Sequence, residues 1–169
     1  MITIQQLEAS HDLSSFDSGN KILDRWVRRN GLGNQLSYGV TYVAVTGGEV
    51  VGFVTVSPTA VDRSMLDGRG GPGKWPALLL GRMAVAKSHQ NQSVGSRYLL
   101  KHVFELAAQM HMTVGCSAVV VDSKPDAVGF YTKYGFLKAV VLGEEGSSSA
   151  EQTTMMYISI KPILGLIKP

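Results

Sequence analysis

The sequence has a single cysteine, Cys116, so no internal disulfide can form and a disulfide-stapled scaffold is excluded. It has no run of 18 apolar residues, so no membrane-spanning helix is expected. The first residues, Met1-Ile2-Thr3-Ile4-Gln5-Gln6, lack the basic start and apolar stretch of a signal peptide. A cytoplasmic protein is the resulting expectation. His11, His89, His102 and His111 are isolated from one another, so no metal site is expected. There is no Gly-x-Ser-x-Gly elbow and no phosphate loop ending in Lys-Ser/Thr, which removes the α/β-hydrolase and nucleoside-triphosphatase routes.

What is present fits one folded domain of 169 residues. A hydrophobic fraction of 44% supports a core, and a net charge of +3 permits an anionic partner without demanding one. Alternation or continuous apolar runs predict strands at 1–7, 40–46, 49–57, 77–86, 114–121, 136–142 and 153–160. Gly47-Gly48 reads as a hairpin turn. Helices are predicted at 20–30, 94–110 and 125–133, the first capped by Ser18 or Asn20. Ile22, Leu23, Trp26 and Val27 share its apolar phase, which makes Trp26 a core residue. Residues 58–76 read as a long surface loop with a helical turn near 61–66, 143–150 as a second loop, and Pro162 as the stop of the last strand. The expected class is a mixed α/β (α+β) single domain with one mixed sheet.

Two segments are candidates for chemistry. An apolar strand runs into Gln90-Asn91-Gln92-Ser93-Val94-Gly95-Ser96 and then a long helix. A helix start offers free N–H groups and a positive dipole end, which suit a pyrophosphate. The same pattern also describes an ordinary strand-to-helix connection capped by serine. Phe130-Tyr131 lies on a short helix after an apolar strand, where a tyrosine hydroxyl could give a proton to a leaving thiolate or simply pack. Tyr134 competes for that role. Cys116 reads as a small buried hydrophobe, and His89 stands in the loop near any ligand. The basic residues Lys21, Arg28, Arg29, Lys74, Arg82 and Lys87 form either a solvated face or contacts to phosphates of a nucleic acid.

Three segments in order resemble a known family. They are Phe16–Val27 with Asn34 and Thr41–Val45, then Leu79–Val85 with the loop behind it, then Lys124–Phe136. The chain resembles the GCN5-related N-acetyltransferases, and most of all the acetyltransferase toxins paired with ribbon-helix-helix antitoxins in bacterial type II toxin–antitoxin systems. The resemblance implies a central, mostly antiparallel twisted sheet flanked by helices. It implies acetyl-CoA bound by the backbone of Met83, Ala84 and Val85, by Gln90, Asn91, Gln92, Ser93, Val94, Gly95 and Ser96, and by Phe130. It implies Tyr131 as general acid and the α-amine of an aminoacyl-tRNA as acceptor, with Lys21, Arg28, Arg29, Lys74, Arg82 and Lys87 facing the tRNA. Translation would be blocked. A ribbon-helix-helix antitoxin and a homodimer are the implied partners. The alternatives are an acetyltransferase for a protein or small amine, and an acyl-CoA-fold module impaired in catalysis. The last arises because Asn91 and Ser93 stand where the family carries glycine: their side chains are either accommodated or spoil the loop.

Overall fold

A computed structural model describes residues 1–67, 73–139 and 152–167. The chain forms two compact units, Met1–Ser57 with Leu80–Val103, and Pro58–Leu79 with Phe104–Pro169. Two of the crossings between them fall inside long strands, because β3 (Glu49–Asp62) and β4 (Lys74–Val85) contribute residues to both.

The first unit carries β1 (Thr3–Gln6), α1 (Lys21–Asn30) and β2 (Val40–Thr46). Its strands take the order β1-β2-β3-β4, with β1–β2 and β2–β3 antiparallel. Gly47 and Gly48, at φ +57° and +80°, make the two-residue hairpin that the sequence predicts, since two left-handed residues match the twist of the flanking strands. Pairing slips between Ala44 and Val45, so Ala44 faces Gly52 while Val45 faces Val50. The core gathers Leu7, Phe16, Val27, Val43, Val45, Val50, Phe53, Ala84 and Ala86, with Trp26 packed against it. Phe16 meets Phe53 edge-on at 5.7 Å and Trp26 stacks on Phe53 at 6.4 Å. Ile22, expected in the apolar stripe of α1, is 69% exposed. The buried line of that helix runs through Asp24 and Val27 to Gly31, and Ile22 lies on its flank.

Residues 31–38, where Gly31 and Gly33 are expected to end α1 or open a second short segment, form a single 3-10 turn at Gly33–Leu36. Gln35 fastens it, donating to the Leu7 carbonyl at 2.9 Å and accepting from the Thr41 N–H at 3.2 Å.

The second unit holds α2 (Arg63–Asp67), α3 (Lys101–Thr113, whose first three residues belong to the other unit), β5 (Ala118–Ser123), α4 (Val128–Lys133), β6 (Leu137–Lys138), β7 (Thr154–Ser159) and α5 (Ile160–Leu166). Its strands take the order β4-β5-β7-β6, and both β5–β7 and β6–β7 are antiparallel. Val61, Leu66, Ala77, Ala118, Val120 and Tyr157 form its core. The fold is thus mixed α/β with mostly antiparallel pairing and flanking helices.

Several boundaries differ from expectation. Both ends of the predicted loop 58–76 are strand, because β3 runs to Asp62 and β4 starts at Lys74. The Arg63 N–H still reaches the Gly73 carbonyl at 3.3 Å, and the helical turn sits at 63–67. The strand expected from 114 starts at 118, since Gly115 at φ +103° is left-handed and ends the approach from α3. Pro162 does not terminate structure but lies in the first turn of α5, where no N–H is needed. Of the strand expected at 136–142, only 137–138 is strand among the described residues. Positions 140–142 and the loop 143–150 lie outside the described residues. No helix among the described residues is long and apolar enough to cross a membrane.

Candidate functional site

In the first unit, the end of β4 is locally irregular. The Arg82 N–H donates to the Thr55 hydroxyl at 2.8 Å, and a Cβ on Gly81 would lie 2.8 Å from that same oxygen. A side chain therefore takes up a main-chain donor of the strand just before Met83, Ala84 and Val85. Ala86 N–H returns to the Val51 carbonyl at 2.8 Å, and a 3-10 turn over Lys87–His89 leads into the loop.

Two non-glycine residues among those described have positive φ: Asn91 at 64° and Ser93 at 61°. They are the two positions where the resemblance expects glycine. A left-handed residue with a Cβ costs roughly 1–2 kcal/mol, less for Asn, whose amide can bond locally. Both side chains are exposed, so the chain keeps the glycine-type turns and sends the extra atoms to solvent. Left-handed Ser93 followed by right-handed Val94 turns neighbouring N–H groups toward a common concavity, the geometry of anion-binding nests.

The helix begins with a wide π turn, Gly95–Leu100, and continues as α3. No side chain caps it at Val94, so its first N–H groups remain available to an anion. Gly52 lies beneath. A Cβ there would sit 3.1 Å from Leu99 Cδ1 and 3.2 Å from the Ala84 carbonyl, so its absence lets the helix start close on β4. An uncapped helix start, a nest and two left-handed turns fit the pyrophosphate of an acyl carrier.

The glutamines have other work than phosphate contact. Gln90 Nε2 donates to the Ser18 carbonyl at 2.8 Å and to the Val85 carbonyl at 3.0 Å, and Gln92 Nε2 donates to the Ser88 carbonyl at 3.1 Å. The Ser96 hydroxyl turns toward the Ser93 carbonyl at 3.4 Å. Main-chain N–H groups, rather than these side chains, are left to meet an anion.

The loop is clasped by the turn before α1. The Lys87 N–H donates to the Asp17 carbonyl at 2.8 Å, and Lys87 Nζ lies 3.4 Å from the Asp17 carboxylate. The Gly19 N–H holds the Asp17 carboxyl below its usual range, against desolvation and with smaller help from Lys87 and Arg28. Asn20 caps α1, accepting from Ile22 and Leu23 N–H at 3.1 and 3.2 Å. Asp24, Ser18, Thr55 and Gly52 carry no functional signal in the sequence. The one clue is an aspartate, Asp24, set between the apolar Leu23 and Val27 on a helix face.

The six basic candidates divide. Arg28 donates to the Phe16 carbonyl at 2.9 Å. The Arg82 guanidinium lies 4.2 Å over the Trp26 ring, and Lys87 pairs with Asp17. Lys21 and Arg29 are exposed on α1. Lys74 is exposed at the start of β4, in the second unit. The imidazole of His89, expected near a ligand, bonds the Ser88 hydroxyl at 2.8 Å.

In the second unit, Tyr131 sits on α4 and is 5% exposed. Phe130 and Phe136 each face its ring edge-on at 5.2 Å. Gly135 at φ +95° turns the chain back so that the Phe136 N–H reaches the Tyr131 carbonyl at 3.0 Å. Burial pushes the Tyr131 hydroxyl well above the ordinary tyrosine range, so it keeps its proton at neutral pH. Tyr134 is only half-buried, with Lys133 Nζ 5.6 Å from its ring centre. Cys116 is buried, and desolvation pushes its thiol up against two backbone hydrogen bonds, which suits a packing residue and not a nucleophile. Among the described residues no group of three His, Cys, Asp or Glu side chains could hold a metal.

Comparison with known proteins shows what the chain is similar to. An acetyltransferase (GNAT) domain matches residues 37–138. The chain is 30% identical over 137 residues to a tRNA-acetylating toxin of Mycobacterium tuberculosis (strain ATCC 25618 / H37Rv), covering 78% of this chain and 82% of that protein. Among solved structures it is similar to AtaT complexed with acetyl-methionyl-tRNAfMet, with TM-score 0.85, 22% identity, and 99% and 100% of the two chains covered. It is also similar to AtaTR bound with AcCoA, with TM-score 0.81, 24% identity, and 99% and 98% covered. At that identity the two structures bear on the fold.

Proposed function

Because the chain belongs to the acetyltransferase (GNAT) family, we propose that it is a toxin N-acetyltransferase that uses acetyl-CoA to acetylate the α-amine of aminoacyl-tRNA and so blocks translation in the cytoplasm. The observation that carries the cofactor assignment is the loop itself: left-handed Asn91 and Ser93 ahead of an uncapped helix start. Likeness to a tRNA-acetylating toxin carries the acceptor. A degenerate acyl-CoA module is the weaker reading, since the loop keeps its glycine-type turns despite two side chains.

Acetyl-CoA, when bound, supplies the acetyl group as a thioester open to attack by an amine. The main-chain N–H groups of Val94, Gly95 and Ser96 hold the pyrophosphate. The backbone of Met83, Ala84 and Val85 binds the pantetheine arm, and its N–H groups favour negative charge developing on the carbonyl oxygen. Phe130 adds apolar surface for the donor. Tyr131 would give the proton on its phenolic oxygen to the departing sulfur and recover one, through water, from the proton the attacking amine loses. Lys21, Arg29 and Lys74 grip tRNA phosphates, with Arg28, Arg82 and Lys87 adding charge while holding the protein's own carbonyl, ring and carboxylate. A ribbon-helix-helix antitoxin and a second copy of the chain are the proposed protein partners.

The deciding experiment incubates purified protein with labelled acetyl-CoA and a pool of charged tRNA. Label on the α-amine of the aminoacyl group is expected. Label on peptides or free amines but not on tRNA would move the acceptor to the alternative class. Absence of acetyl-CoA binding in calorimetry would remove the enzyme reading.

A further inference from the structure

We propose that Asp24 is a positioning residue for the acyl-donor loop, acting through Ser18 and Gln90 without touching acetyl-CoA; the proposal rests on the cofactor assignment above. Asp24 is 4% exposed. Its carboxylate accepts the Ser18 N–H at 3.2 and 3.1 Å and the Ser18 hydroxyl at 2.5 Å. The Ser18 hydroxyl in turn accepts the Asn20 N–H at 3.2 Å. On its far side the Ser18 carbonyl receives the Gln90 amide, which also spans to the Val85 carbonyl at the end of β4. One chain of hydrogen bonds therefore runs from a buried carboxylate on α1 to the residue just before Asn91.

Two facts make this more than local packing. Burying a carboxylate is costly unless hydrogen bonds offset it, and α1 does not need one there, since Asn20 already caps the helix. Residues in sparsely populated backbone regions persist only where their surroundings over-determine them, and Asn91 and Ser93 are two such residues within three positions. The Ser18–Gln90 strut fixes the point from which both turns spring, while Lys87 N–H on the Asp17 carbonyl fixes the loop's entry.

The test variant is Asp24→Asn, which keeps the volume but turns one acceptor into a donor facing the Ser18 donors. Removing one charge-assisted hydrogen bond predicts about a 10-fold rise in acetyl-CoA Kd, with kcat at saturation unchanged within about two-fold. In the protein without ligand, amide exchange at 91–96 is expected to accelerate. Adding Asn91→Gly and Ser93→Gly to Asp24→Asn is expected to restore Kd, because glycine takes the left-handed turns without a strut. Gln90→Met should raise Kd similarly and add nothing to Asp24→Asn. An unchanged Kd, an equal fall in kcat, or no glycine rescue overturns the proposal. Should Asp24→Asn fail to fold, Gln90→Met with the same glycine pair gives the same reading. If the parent protein binds no acetyl-CoA, the functional reading fails; exchange at 91–96 still decides whether Asp24 fixes the loop.

Discussion

Tyr131 combines a buried ring with a hydroxyl that stays protonated at neutral pH. Under the proposed mechanism that proton goes to the departing sulfur. Tyr131→Phe is therefore expected to lower kcat about 100-fold or more while leaving acetyl-CoA Kd nearly unchanged, measured by steady-state kinetics and calorimetry. The same residue has a signature in stability. Its folded pKa is raised, so the folded state holds the proton where the unfolded chain has lost it. That contribution is complete below the ordinary tyrosine pKa of about 10 and is lost as pH rises beyond it. Urea titrations from about pH 9 to 11 should show the parent losing stability more steeply than Tyr131→Phe. At Ser93 a β-branched residue would face the left-handed turn at a higher cost than serine. Ser93→Val is expected to destabilise the protein by about 1–2 kcal/mol in the same assay, with weaker acetyl-CoA binding.

Among the elements, α1 serves the loop as much as the core. Its cap, Asn20, shares a turn with Ser18 and Asp17, so cap and clasp are one structure. Asn20→Ala should cost about 1 kcal/mol in chemical denaturation, with a rise in acetyl-CoA Kd that simple helix fraying elsewhere would not give. The junction of β3, β4 and the π turn is tighter. Gly52→Ala puts a Cβ 3.2 Å from the Ala84 carbonyl, and main chain cannot step aside as a flexible side chain can. A loss of about 1–3 kcal/mol is expected, read as a lower melting temperature.

Over the whole molecule the net charge is only +3, so nucleic-acid binding depends on where cations sit and not on bulk attraction. Three of the six basic candidates already hold a carbonyl, a ring or a carboxylate of their own protein. Removing Lys21 or Arg29, both exposed on α1, should weaken tRNA binding across amino-acid identities. It should also lessen the slope of log K against log salt by about 0.7–0.9 for each phosphate that is no longer neutralised.

Local periodicity and turn chemistry were enough to determine β2 at 40–46, the Gly47-Gly48 hairpin and α1, while its cap was narrowed to Ser18 or Asn20 and the structure chose Asn20. These depend on neighbours within a few positions, and so did the motif segments that marked the family. Only tertiary structure decided the rest. Residues 58–76 are rich in glycine and proline and read as loop, yet both ends of that stretch, 58–62 and 74–76, are held extended as parts of β3 and β4 in the sheet. The resemblance implies Gln90 in the cofactor loop, but only the fold shows its amide on the Ser18 carbonyl, 72 positions away. The backbone of Asn91 and Ser93 was undecidable from residue type, because neither requires a left-handed turn. The surrounding clasp, anchored on a buried aspartate, supplies what glycine would have supplied by lacking a side chain.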